Sequence, residues 1–163
     1  MMNPAISPEV PLSPSFVLDA AVSRRGELHA SADGLSQALS MPYEGREDAW
    51  LRASNQALRL VRQDIEEHIA TTESGSGIHQ EIISLEPRLA NMVSRLTADH
   101  EVLLDRTSML AVLFLTAHTT PMDICVAALR DEGKVVVDLL TRHRQRGADL
   151  VYEAYAFDIG GRD

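Results

Sequence analysis

The chain has 163 residues, the length of one domain, and its 45% hydrophobic and 24% charged residues exclude a wholly disordered chain and a fibrous repeat. A net charge of −9 repels phosphate backbones, so nucleic acid is not an expected partner. The single cysteine, Cys125, excludes an internal disulfide and a Cys-x-x-Cys site; with no basic-then-apolar leader and no dense apolar run of about 20 residues, the expected location is cytoplasmic and away from membranes.

Residues 1–14 contain four prolines and read as a flexible Pro-rich arm, leaving one domain over 15–161. Aromatics are only 4% and period-two alternation is scarce, so the domain is expected to be all-α. From Ser15, a candidate N-cap, Leu18, Val22, His29, Ala32 and Leu39 recur at helical spacing and predict a first helix ending near Ser40. The segment Met41-Pro42-Tyr43-Glu44-Gly45 interrupts it, and Glu47-Asp48 supply the negative charge that a helix N-terminus favours. The second helix carries Trp50, Ala57, Val61, Ile65, His68 and Thr72 on its apolar seam and fades at Ser74-Gly75-Ser76-Gly77. Residues 78–86 read as one or two further helical turns.

Pro87 sits where a first-turn proline is tolerated and opens the third helix. Its seam, Leu89, Val93, Leu96, His100, Leu103, Thr107, Leu110 and Phe114, keeps a strict three-four alternation, the narrow stripe of a packed bundle. Thr119-Thr120-Pro121 breaks this pattern, after which Leu129, Val136, Leu139, His143, Leu150 and Ala154 trace a fourth helix to about Phe157. Four long amphipathic helices on short connectors pack most simply as an up-down-up-down antiparallel four-helix bundle.

Six histidines occur, and four of them, His29, His68, His100 and His143, fall on these seams, one per helix. Burying imidazoles without partners costs on the order of 1–3 kcal/mol each, whereas a shared metal ion satisfies them together and selects their neutral form. Counted from the turn joining the third and fourth helices, His100 lies 17 residues before Ala117 and His143 lies 21 after Met122, so the two share a depth. Across the next connection, His68 lies 17 before Leu85 and His100 lies 13 after Pro87, a matching depth provided residues 74–85 continue the second helix in broken form. The first pair of helices matches less well, with His29 only 11 residues before Ser40 against 21 from Glu47 to His68. His79 and His118 fall in or near loops and are expected to be exposed.

Leu28-His29, His68 with Thr72-Glu73, Leu96-Thr-Ala-Asp99-His100-Glu101, Leu140-Thr-Arg-His143 and the closing Tyr152-Glu153-Ala154-Tyr155 and Asp158-Ile159-Gly160-Gly161 together resemble the hemerythrin-like cation-binding family over about residues 20–161. The resemblance implies a hemerythrin-like bundle holding one or two non-haem iron ions, with His29, His68, His100 and His143 as ligands and Glu73 as an acidic, bridging one. The chain departs from that family's pattern in three places. The carboxylate expected four residues after His68 is Thr72, with Glu73 one later; His100 has no second histidine four residues away; and Gly147 and Ala148 stand where a carboxylate should follow His143. Asp33 and Asp105 could compensate, although a surface acid is the more frequent role at such positions.

No substrate is expected to be transformed. A small ligand such as dioxygen would bind in an apolar pocket walled by Val61, Ile65, Leu96, Leu103 and Leu139, for sensing, storage or iron handling. The alternative is a metal-free helical module that keeps the family fold and acts by binding a protein partner. The Glu-x-x-His pairs of ferritin-type di-iron sites are absent, as are His-Glu-x-x-His and Gly-x-Ser-x-Gly motifs and a glycine-rich phosphate loop.

Overall fold

A computed structural model describes the backbone of residues 14–155 and the side chains of residues 26–155. The expected arm therefore lies outside the described residues, apart from Pro14, as do the closing Asp158 to Gly161. The described residues are all-helical: α1 (Pro14–Ser40), α2 (Glu47–Thr72), α3 (Ile78–Leu85), α4 (Ala90–Thr116) and α5 (Met122–Tyr155). Short 3₁₀ turns, Pro87–Leu89 and Ala117–Thr119, precede and follow α4.

The boundaries follow from local chemistry. Pro14 opens α1, where its missing N–H costs no hydrogen bond. Gly45 turns the chain with φ +74° and donates its N–H to Glu47 Oε1 at 2.9 Å; this bond, with one from the Glu47 N–H itself, holds the Glu47 carboxyl below the usual range. Gly77 lies against the end of α2 so closely that an added Cβ would stand 2.5 Å from the Thr72 carbonyl oxygen and 2.7 Å from that of Thr71. Only glycine admits that approach, which is what lets α3 fold back directly after α2.

The four long helices pack in a ring, α1 on α2 and α5, and α4 on α2 and α5. Arg130 of α5 donates to the Leu39 and Met41 carbonyls at 2.8 and 3.0 Å, satisfying acceptors at the end of α1, and its guanidinium stands over the Tyr43 and Trp50 rings. Along the α4–α5 contact, Arg146 pairs with Asp99 and Arg106 with Glu132.

The apolar interior divides into two clusters. The larger runs from Leu28, Leu35 and Trp50 through Leu58, Leu103, Leu110 and Leu129 to Leu140. The smaller joins Ile78 and Ile82 of α3 to Leu89, Val93, Leu96, Leu150 and Ala154 at one end of the ring. On α4 the boundary between them is His100, between Leu96 and Leu103; on α5 it is His143, between Leu140 and Leu150; on α2 the large cluster stops at Ile65, and His68 and Thr72 follow, both buried. Tyr155 donates to Glu81 at 2.7 Å and ties α3 to the end of α5.

One stretch, Pro87–Thr119, is long and apolar enough by length and composition to cross a membrane, although its dense apolar run, Met109 to Ala117, is short. Its inner stripe is the seam carrying His100 and Thr107, and its outer face leaves Val102, Met109, Val112 and Leu115 exposed.

Candidate metal centre

Three of the four seam histidines meet where the two apolar clusters part. His68, His100 and His143 are buried, and one ring nitrogen from each lies within 4.8 Å of the others. Nε2 of His143 is 3.1 Å from Nε2 of His68 and 3.2 Å from Nε2 of His100. The rings stand edge to face or tilted, with centroids 4.6–5.2 Å apart, so their tips converge and they do not stack.

Carboxylates stand behind two of these rings. Glu73, the residue that caps α2, pairs through Oε1 with Nδ1 of His100. A carboxylate only accepts, so His100 carries its hydrogen on Nδ1 and leaves Nε2 with a bare lone pair. Asp99, paired with Arg146 at 2.6 and 2.7 Å, lies 3.7 Å from Nδ1 of His143, beyond hydrogen-bond distance. Burial is the main cause that pushes the His143 pKa down to about 4, with His100 adding to it and Asp99 opposing it, so the ring is neutral near pH 7.

Nε2 of His100 and Nε2 of His143, 3.2 Å apart in a buried layer, can share one hydrogen or, with both rings neutral and protonated at Nδ1, turn two lone pairs toward one cation. A metal ion about 2.0–2.1 Å from each nitrogen holds them about 3.3–3.4 Å apart at a tetrahedral angle and about 2.9 Å apart at a right angle. The separations of 3.1 and 3.2 Å fall inside that interval. Each carboxylate occupies the position from which outer groups orient a metal-binding imidazole.

Beside the three rings lies a cavity of about 50 Å³, reached by His68, His143 and Thr72 on one side and walled by Leu28, Ile82, Leu96, Leu140 and Leu150 elsewhere. Of the five wall residues expected from sequence, Leu96 lines it. Val61, Ile65 and Leu103 belong to the large apolar cluster and Leu139 packs against it, because the cavity opens toward α3 instead.

His29 and Glu73 stand apart from the trio. The inward stripe of α1 is Leu28, Ala32, Leu35 and Leu39, which turns His29 about 100° away from Leu28. Its exposed imidazole borders the cavity and pairs with Asp33 at 3.4 Å. Glu73 reaches the site through His100, from outside the point where the nitrogens converge. Asp33 and Asp105 are exposed, as surface acids are, and so is His118.

Sequence reasoning misses two groups. His79 is not exposed but buried as the second residue of α3, its ring parallel to that of His100 within 7° at a centroid distance of 6.0 Å. Burial, with His100 adding and Glu73 opposing, pushes its pKa down to about 4. The only hint is the Ile78, Ile82 pair, whose spacing marks an inward face for a helix of just eight residues. Asp99 is the other, and the signal for it lies in Arg146, three residues after His143 on the facing helix.

No protein family, no curated protein and no solved structure matches the chain.

Proposed function

We propose that the protein is a metal-binding helical bundle of the hemerythrin-like type, with its four long helices running up-down-up-down and one transition-metal ion held by Nε2 of His68, His100 and His143. The observation that carries this reading is the convergence of three buried Nε2 atoms, with a carboxylate bonded to Nδ1 on the far side of the His100 ring. The order of the cross-links supports the topology, since Arg106–Glu132 and Arg146–Asp99 pair rising numbers on α4 with falling numbers on α5.

A single ion fits better than a bridged pair. Glu73 is engaged with Nδ1 of His100 and Asp99 with Arg146, and among the described residues no carboxylate joins the three nitrogens. Neutral imidazole suits iron, zinc, copper and nickel alike; iron is the ion the family resemblance implies. An ion on three protein ligands supplies Lewis acidity and an exchangeable position for a small ligand, dioxygen included. The protein's part is to present three neutral rings, fix their rotation and surround the exchangeable position with apolar side chains.

Anaerobic reconstitution with iron(II), and separately with zinc(II), followed by metal analysis tests this. About one ion per chain is expected, and none above trace in the His100→Leu, His143→Leu double variant, whose helical content stays intact. Trace metal in the unaltered protein under both conditions contradicts the reading and leaves the metal-free interaction module.

A further inference from the structure

The metal ligands leave one nearby imidazole without a task. His79 lines the same cavity as His68 and His143, it is 8% exposed, and its Nδ1 has no hydrogen-bond partner among the described residues. A buried polar nitrogen without a partner is costly and calls for a ligand, an ordered water or a functional role. Its ring lies parallel to that of His100 at a centroid distance of 6.0 Å, and it is not among the imidazoles whose nitrogens converge. His79 is thus placed to meet something bound to the metal, not the metal itself.

The cavity limits what that something is. One water needs about 10–15 Å³ of such space, so about 50 Å³ admits a ligand of roughly three or four non-hydrogen atoms. Leu28, Ile82, Leu96, Leu140 and Leu150 wall much of it, with the exposed His29 and Asp33, and Thr141 and Arg144, at its border. Of the buried polar side chains facing it, His79 is therefore the one that neither joins the converging nitrogens nor bonds within its own helix as Thr72 does. Resting on the metal centre proposed above, we propose that His79 donates a hydrogen bond to a small anionic ligand that occupies the metal's exchangeable position inside this cavity. His79 is then a ligand-binding residue carried on α3, and the contact of Gly77 with the Thr71 and Thr72 carbonyls fixes where α3 delivers it.

The test uses cobalt(II) as the metal, for its visible absorption, and azide as the anion. Full-length wild type, His79→Phe and His79→Gln are each loaded with cobalt(II) and titrated with azide. Phe keeps the ring stack and the volume without the nitrogens; Gln restores an N–H donor. All three proteins are expected to bind about one cobalt(II) with the same spectrum before azide is added. Azide affinity is expected to fall about ten-fold or more in His79→Phe and to return to within about three-fold of wild type in His79→Gln. Equal azide affinity in wild type and His79→Phe, with cobalt retained, overturns the role of His79 while leaving the metal centre standing. Loss of cobalt from His79→Phe and His79→Gln alike overturns it too, because His79 is then itself a metal ligand. Failure of the wild type to take up cobalt overturns both readings.

Discussion

Replacing Glu73 by alanine isolates what holds the His100 ring. In the native protein the Glu73 carboxylate accepts from Nδ1 of His100, whose side chain is 3% exposed, so the ring has one orientation and one tautomer. A charge-assisted hydrogen bond of this kind contributes about 1.5–3 kcal/mol, and loss of an orienting carboxylate behind a metal-bound histidine lowers metal affinity about 10–100-fold. The Glu73 side chain is 31% exposed, so water can replace part of what it does, and a loss of about 10–30-fold, or about 1.4–2 kcal/mol, is expected. Glu73→Gln keeps an acceptor and gives up only the charge, so a loss of about three-fold is expected there. Competition of each variant against a chromophoric chelator for zinc(II) measures these ratios. Affinity unchanged in Glu73→Ala refutes the argument that this carboxylate sets the His100 tautomer. Complete loss of binding refutes it in the other direction, by making Glu73 a ligand.

Other outcomes follow from the same geometry. His29→Ala should leave metal affinity within about two-fold of wild type, since the imidazole is exposed and paired with Asp33; a ten-fold loss measured in the same competition would place it in the coordination sphere. Gly77→Ala should destabilise the fold by about 1–3 kcal/mol, because the new Cβ meets the Thr71 and Thr72 carbonyls, which are backbone and cannot swing aside. Thermal unfolding should show it as a fall of roughly 2–4 °C per kcal/mol, and an unchanged midpoint would contradict the packing of α3 on α2. The metal-free protein should lose stability as pH falls from about 6.5 toward 4. His79 and His143 are held near pKa 4 by burial while the unfolded chain takes up its protons near 6.5, so the unfolded state binds more protons in that window. Each group contributes a slope of up to about 1.4 kcal/mol per pH unit, readable in denaturant midpoints, and a flat profile between pH 7 and 4 would contradict their burial as neutral rings.

The helices were legible because their boundaries rest on local signals. Pro14, Gly45, Pro87 and Pro121 punctuate the chain, and the seam of α4 repeats without a gap from Val93 to Phe114. The depth count matches His100 with His143 because straight helices advance by a constant rise; its match of His68 rests on residues 74–85 continuing the second helix, whereas α2 ends at Thr72 and α3 folds back. His29 lies seven residues after Val22 and three before Ala32, which is helical spacing for the seam, whereas the buried stripe passes through its neighbour Leu28. A one-residue choice on a helix rotates a side chain by about 100°, and α1 has too weak a polarity contrast between its faces to decide it from periodicity.

What was not legible depends on contacts between distant segments. The burial of His79 comes from the docking of α3 across the end of the ring, where Ile78 and Ile82 meet Leu96 and Leu150, and eight residues are too few for a periodic pattern to show that. Glu73 was singled out by its nearness to His68 in sequence, but the ring it serves is His100, 27 residues away. The carboxylates look like failed metal ligands in the sequence because their distance from the histidines along each helix is wrong for direct coordination. In space they stand behind the rings of neighbouring helices, which is where an orienting group belongs.

X-ray absorption at the metal edge of the reconstituted protein tests the central claim most directly. The account predicts a first shell of nitrogen or oxygen neighbours at about 2.0–2.2 Å, with outer-shell scattering from three imidazole rings and no second metal nearby. A shell dominated by carboxylate oxygen, or scattering from fewer than two imidazoles, would contradict it.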